Sequence, residues 1–335
     1  MGIPVMKYFN TPSTSAIALA FGTSLLFTGA GSLAQSYPAK AVRVVVPSAT
    51  GGAFDLITRG FSPQLTAVLG QPVVVENRAT AGGIGGVDYV AKAAGDGYTL
   101  LTAGVSQIVY NKHFYAKLPY DPERDFAPIG MVGELPFALF VQSGLPFRNV
   151  QEFIAYAKAN PGKLNYGSAG VGQTFHLAME MLRARTGADL THIPYKGTGP
   201  ALQDLYGGRL EVMFYPASSQ LLGYVKEGKL RVIGTVSKKR LPHLPDVPTF
   251  EESGITNFDV TGWVAMFAPA STPREIVARL NRELNRVLGM PDVARTYEQL
   301  SMTPSQSSPE ELGARVGREI TMWGPLVKKL NIQLE

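Results

Sequence analysis

The 335-residue chain contains no cysteine. That absence removes disulfides, thiol nucleophiles and thiolate metal sites together. A chain of this length can bury enough surface to fold without covalent staples. Histidine is scarce: His113, His176, His192 and His243 are the four, and none stands in H-E-x-x-H spacing. No serine sits in a G-x-S-x-G elbow, so the α/β-hydrolase nucleophile motif is missing. Tryptophan is limited to Trp263 and Trp323, which read as packing residues rather than ligand platforms. Charge is low, at 17% of residues, with a net balance of +5. The densest basic cluster is Lys238-Lys239-Arg240, which reads as a solvated loop, and no basic run with interleaved aromatics points to nucleic acid. No repeat period of about 20 to 50 residues is present.

What is present begins with an apolar N-terminus. Residues 1–34 carry one charge, Lys7, and an apolar run from Ala16 to Leu33. Ser32-Leu33-Ala34 supplies a small-x-small site, so these residues read as a signal peptide cleaved after Ala34. An uncleaved anchor is the competing reading, since the run is nearly long enough to span a membrane. Gly29, Gly31 and Ser32 weaken that run as a helix. No later stretch approaches about 18 uninterrupted apolar residues.

From residue 41 onward, strands and helices alternate. AVRVVV, PVVVEN and YTLLTA read as buried strands, separated by helices over 53–69 and 85–94. A second set follows: strands at 137–142, 163–170, 191–195, 211–215 and 230–236, with helices at 150–159, 173–187, 200–207 and 219–227. The apolar run 258–269 precedes helices at 273–289, 291–299 and 308–330. Ser308 and Glu311 have capping-box spacing at the start of the last helix. This order implies parallel strand-helix-strand units and an α/β fold.

Ligands of open α/β sheets bind where strands lead into helices. Four such loops are rich in small residues. In PSATGGAFD (47–55), Gly51 and Gly52 allow close backbone approach and Thr50 can cap. Asp55 lies in the first helical turn, either as an N-terminal acid favouring the dipole or as a ligand contact. Ser168-Ala169-Gly170-Val171-Gly172-Gln173-Thr174 opens a second helix and resembles an anion nest. His176 follows it, either facing the cleft or bonded within the fold. Tyr195-Lys196-Gly197-Thr198-Gly199-Pro200 is the third loop, where Thr198 can cap and Lys196 is either a charged contact or a solvated lysine. The fourth is Thr102-Ala103-Gly104-Val105-Ser106. Other glycine motifs fail on inspection. GYVKEGKL (223–230) has G-x-x-x-x-G-K spacing but Leu230 where Ser or Thr must stand, and AGGIGG (81–86) has Asp88 in place of the third dinucleotide-binding glycine.

An ordered set of segments carries a family likeness: YPAKAVRVVVP…GGAFD, GQPVVVENRATAGGIGG, AKAAGDGYTLL, LNYGSAGVGQTFHLA, HIPYKGTGPALQDLYGGRLEVMF and LPDVPTFEESG. Across essentially the whole chain beyond residue 34, the sequence resembles the extracytoplasmic solute-binding proteins of tripartite tricarboxylate transporters, the Bug family. The resemblance implies a two-lobed α/β fold of the periplasmic-binding-protein type II (Venus-flytrap) kind, with a central sheet in each lobe. The order of elements itself gives two lobes, with the chain crossing near Glu134–Phe140 and Asp259–Phe267, so that 35–137 and 256–335 form lobe 1 and 138–255 lobe 2. The resemblance implies a periplasmic protein, monomeric, that closes on a small organic carboxylate and presents it to membrane transporter subunits, with no catalysis, no cofactor, no metal and no nucleic acid. In that family the loops matching 47–55 and 168–174 hold a carboxylate through backbone amides and bridging waters, and a third contact region matches Tyr195 to Asp204. Residue by residue, Gly51, Gly52, Asp55, Ser168, Ala169, Gly170, Tyr195, Lys196 and Gly197 carry over. Gln173, Thr174, His176, Thr198, Asp204, Ser106 and Tyr215 complete the candidate set, with Tyr215-Pro216 on the opposite wall. One departure stands out: Ser48 and Thr50 occupy places where the family usually has an aromatic and a proline. A secreted α/β enzyme acting on a similar acid, with an acid–base pair near Ser168 and His176, and a ligand-sensing partner of a membrane sensor are the alternatives.

Overall fold

The computed structural model describes residues 37–48, 50–79, 83–195, 198–237, 239–256, 258 and 260–330. The signal segment and its cleavage point, together with Lys196 and Gly197, lie outside the described residues.

The chain runs β1 (Val42–Val46), α1 (Ala53–Leu69), β2 (Val73–Asn77), α2 (Ile84–Ala91) and β3 (Thr99–Gly104). A π-helical turn over Ser106–Tyr110 then leads into the short α3 (Asn111–Phe114). β4 (Phe126–Leu135) and β5 (Phe137–Gln142) follow, separated by Pro136 alone. Next come α4 (Val150–Ala159), β6 (Asn165–Ser168), α5 (Thr174–Thr186), β7 (Thr191–Pro194), α6 (Thr198–Tyr206), β8 (Val212–Pro216), α7 (Ser219–Lys226) and β9 (Leu230–Val236). The chain ends with β10 (Gly262–Pro269), α8 (Arg274–Leu288), α9 (Pro291–Gln299), β11 (Thr303–Pro304) and α10 (Pro309–Leu330).

These strands make two sheets. One has the order β11-β4-β10-β3-β1-β2 and the other β7-β6-β8-β5-β9. The strand-helix-strand units at the start of each pair in parallel, as their sequence implies: β1 with β2 and β3, and β6 with β7 and β8. The crossing strands run the other way. β10 is antiparallel to β3 and β4, and β5 is antiparallel to β8 and β9, so both sheets are mixed. β2 also departs from the buried strand its apolar run suggests. It is an edge strand with Val74 51% exposed, covered on one side only. Helices α8 and α10 return to pack on β4 of the first sheet.

Burial divides the core three ways. One cluster (Val44, Phe61, Met266, Leu284) lies between β1, β10 and helices α1 and α8. A second (Phe140, Leu205, Met213, Leu221) lies under α6 and α7. The largest runs from Val45 and Trp323 through Phe137 to Tyr166 and Phe250, so it joins both sheets.

The junction between sheets is tightly packed. Pro136 has no N–H to give a ladder, and on either side of it the chain pairs with different partners. Leu135 pairs with Gly262, while Phe137 pairs with Pro216 and Val236. The Phe137 ring lies over Gly262 and meets Phe175 edge-on, with centroids 4.9 Å apart. Arg315 of α10 bonds Glu134 and Glu319, and Glu319 accepts the Trp263 indole N–H at 2.8 Å. A Cβ at Gly262 would stand 2.9 Å from the Phe137 ring. Gly262→Ala is therefore expected to cost about 1–3 kcal/mol of stability by overpacking. A urea midpoint equal to that of the parent would contradict this reading of the junction.

Candidate functional site

Each strand-to-helix loop was expected to bare backbone donors, and their fates differ. At the first loop, Gly51 has φ +78, a conformation that a glycine adopts without strain. Its N–H donates to the Asp55 carboxylate at 2.8 Å, and Arg59 donates to the same carboxylate at 2.8 Å. Burial pushes the Asp55 carboxyl up, but the Gly51 N–H, the Asn77 amide and Arg59 outweigh it and hold it below the usual range. Asp55 is thus buried and turned onto its own loop. Gly52 is the N-cap of α1, and no side chain caps it. Thr50 is exposed.

The 168–174 loop is held from behind. Ser168 is fully buried. Its hydroxyl accepts the Gly170 N–H at 3.1 Å and lies 2.7 Å from His192 Nε2. His176 is buried, and its Nδ1 accepts the Gly172 N–H at 3.1 Å. The two imidazoles stack at 4.1 Å, with Tyr166 stacked 4.8 Å from His192. Tyr166 donates to Glu180, which Arg183 also contacts at 2.6 Å. Burial lowers both histidines, and His192, beside His176 and Arg183, falls to about 4. The rings are therefore neutral at pH 7, which lets the Nδ1 of His176 accept a hydrogen bond. Ala169 and Gly170 are half-buried along this loop, and Gln173 is the N-cap of α5, with no side chain capping it.

A cavity of about 330 Å³ lies in front of this loop. Its walls come from both halves of the chain: Pro47, Ser48, Ala79 and Gly83 on one side, Gly172 and Gln173 on the other. The segment after β3 supplies the remainder: Ser106, Gln107, Asn111, Phe114 and Tyr115. Ser106 Oγ and Thr174 Oγ1 bridge the halves at 3.2 Å. Among the described lining residues none is charged. The positive ends of two helices line the cavity instead, since Gly83 is the N-cap of α2 and Gln173 that of α5, both without a side-chain cap. Each such end carries roughly half an elementary charge and several unpaired N–H groups. Helices α4, α7 and α10, by contrast, begin on Asn149, Ser218 and Ser308, whose side chains accept from the first turn. The N-termini of α8 and α9 are also uncapped by side chains but do not line the cavity. α2 reaches this position because its glycines admit the Pro47 loop. A Cβ on Gly83 would meet the Pro47 carbonyl at 2.7 Å, and one on Gly86 the Arg78 carbonyl at 2.8 Å.

The structure thus brings Ser106 and Gln173 to one cavity, with Thr174 bonded to Ser106 behind it. Gly51, Gly52 and Asp55 form a separate turn beside it, and Ser168 and His176 form its backing. Tyr195 and Asp204 bond each other at 2.7 Å, and Arg209 holds the same carboxylate. Thr198 begins α6, and the Tyr215 ring packs 5.2 Å from Phe175. Gln107, Asn111, Phe114 and Tyr115 are absent from the candidate set, which stops at Ser106 and assigns no element to QIVYNKHF. Its apolar spacing, Ile108, Val109 and Phe114, was the available signal.

Acid should loosen this backing. Both histidines lie below their unfolded value of about 6.5, so the stability that the neutral rings supply is present above that pH. It is lost progressively between about 6.5 and 4 as the unfolded chain takes up protons first. Urea midpoints are expected to fall across that window, and His192→Gln is expected to reduce the slope. An unchanged slope in the variant would place the acid sensitivity elsewhere.

Comparison with known proteins bears on what such a cavity receives. Residues 57–332 match the family model described as the tripartite tricarboxylate transporter family receptor. A protein from the tcbD-tcbE intergenic region of a Pseudomonas species is 39% identical over 310 residues, covering 91% of this chain and 92% of that one. Among solved structures, Rpa4515 of R. palustris with adipate is 33% identical with a TM-score of 0.75, covering 89% of this chain and 99% of that one. MatC of Rhodopseudomonas palustris with bound malate is 33% identical with a TM-score of 0.71, covering 87% and 100%. The periplasmic binding protein BugD is a further structural match, at 34% identity and a TM-score of 0.72, covering 89% of this chain and 100% of that one, and with most of its length matched the chain belongs to the tripartite tricarboxylate transporter receptor family.

Proposed function

We propose that this chain is an exported receptor that holds a small organic carboxylate in the cavity between its two sheets and delivers it to membrane transporter subunits. The observation that carries this reading is the pair of uncapped helix N-termini, at Gly83 and Gln173, lining one cavity of about 330 Å³ with no charged residue among its described lining. Unpaired amides at a positive helix end suit an anion without a full countercharge. The adipate and malate found in the two relatives are of this chemical class and of a size that such a cavity admits. Cleavage after Ala34, residence in the periplasm and a monomeric state belong to the same reading. So does division into lobes at 35–137 with 256–335 and at 138–255. Among the described residues no helix is long and apolar enough to cross a membrane.

One observation favours an enzyme instead. Ser168 Oγ stands 2.7 Å from His192 Nε2, the spacing of a nucleophile and its base. Two features support a structural role: Ser168 is fully buried, and its hydroxyl closes its own loop on Gly170. We therefore assign the chain no catalysis.

Thr174 tests the anion site sharply. It is the first residue of α5, so its N–H has no intrahelical acceptor, and proline is tolerated at that position. Gln173 already has φ −75 and ψ 160, which a following proline accepts. Thr174→Pro is expected to fold and to bind the carboxylate roughly 10- to 100-fold more weakly, the worth of one hydrogen bond to a charged group. Thr174→Ala, which keeps the N–H and loses only the Ser106 contact, reports the side chain's share. Calorimetry on residues 35–335, after a thermal-shift screen of mono-, di- and tricarboxylates, aromatic acids and acidic amino acids, reads both. Unchanged acid recovered at the end is the expected result. A converted product, or equal affinity in Thr174→Pro and Thr174→Ala, would overturn the reading.

A further inference from the structure

We infer that the cavity is built to read a hydroxyl on its ligand, through Ser48, Gln107 and Asn111, so that the preferred cargo is a hydroxy acid. The inference rests on the carboxylate reading and extends it to the other end of the ligand.

Three side chains carry it: two amides oriented by fixed partners and one hydroxyl without a partner. Ser48 Oγ is buried and has no hydrogen-bond partner among the described residues, while its backbone carbonyl is held by Asn77 Nδ2 at 3.1 Å. Gln107 is 8% exposed, and its Oε1 accepts the Gly104 N–H at 3.3 Å. That fixes the amide orientation and leaves Nε2 as a donor. Asn111 is 9% exposed. The Tyr120 hydroxyl donates its proton to the Gln107 backbone carbonyl at 2.6 Å, so it must accept from Asn111 Nδ2, 3.3 Å away. Asn111 Oδ1 is left as an acceptor. All three residues line the same cavity.

The subsite therefore offers an amide donor, a carbonyl acceptor and a hydroxyl that can play either role. A second carboxylate on the ligand can only accept, and it would set its charge against the Asn111 carbonyl. A methyl or methylene would leave all three groups unpaired in a closed cleft, which is costly. A hydroxyl donates and accepts at once, and it satisfies the set.

The test uses matched acids that differ by one hydroxyl: succinate and malate, butanoate and 3-hydroxybutanoate, butanoate and 4-hydroxybutanoate. In at least one pair the hydroxy acid is expected to bind about tenfold tighter or more, the worth of one satisfied hydrogen bond in a desolvated site. Ser48→Ala should bring that ratio to within about threefold, with the affinity for the deoxy acid unchanged. Its urea midpoint should hold or rise, because the buried hydroxyl it removes has no partner. Equal affinities within every pair, or a Ser48→Ala variant that weakens both members alike, would overturn the inference while leaving carboxylate binding intact. Failure of every acid to bind would overturn both. A lowered urea midpoint in Ser48→Ala would show that the hydroxyl serves the fold instead.

Discussion

Both sheets hang on one stretch of chain that changes sheet at Pro136. Pro136 has no N–H to give to either ladder. There one ladder ends at Leu135 and another begins at Phe137. Everything in the site follows from where this break sets the two halves. The Phe137 ring reaches from the break to Phe175 in the first turn of α5, and Phe175 in turn packs on Tyr215. The strands beside the break are pinned to α10 by Glu134, Arg315, Glu319 and the Trp263 indole. The cavity forms where α5 from one half faces the Pro47 loop and α2 from the other.

The site's electrostatics suit capture followed by release. A lysine or arginine in a desolvated cleft would bind an acid strongly and specify its charge. Helix ends supply a diffuse positive field with several weak donors, and the acid can leave when the cleft opens. The cost falls on the loops, which must keep their shape with no side-chain cap on α1 or α5. At 168–174 the stacked histidines, Tyr166 and Ser168 bear that cost from behind. At 47–55 Asp55 does so by closing on Gly51 and Arg59.

Much of the fold was legible because its signals are local. β1, β3 and β5 carry short, mostly apolar runs, α1 and α8 carry 3.6-residue periodicity, and a glycine follows α1, α5 and α8. The capping box at Ser308 and Glu311 was readable from spacing alone. β4 was not foreseen, because Pro128, Gly130 and Gly133 interrupt its pattern. Those glycines serve neighbours far away in sequence: a Cβ at Gly130 would strike Asn281, and one at Gly133 would strike Met302. The same limit applies at the site. Glycine-rich turns mark where a ligand could bind, but they do not reveal which amides are already spoken for. That Asp55 takes the Gly51 N–H, that Gly104 orients the Gln107 amide, or that Tyr120 orients the Asn111 amide, depends on contacts that only the folded chain brings together.

The most direct test of a carboxylate held between the halves is to watch the backbone amides themselves. Deuterated, nitrogen-15-labelled residues 35–335 would be saturated with the tightest acid, and amide shifts followed by NMR. The account predicts the largest changes at Gly83, Gly172, Thr174 and Phe175, together with Ser48. Changes concentrated instead in the open hollow between Lys112 and Asp125, with the amides of α2 and α5 unmoved, would contradict it.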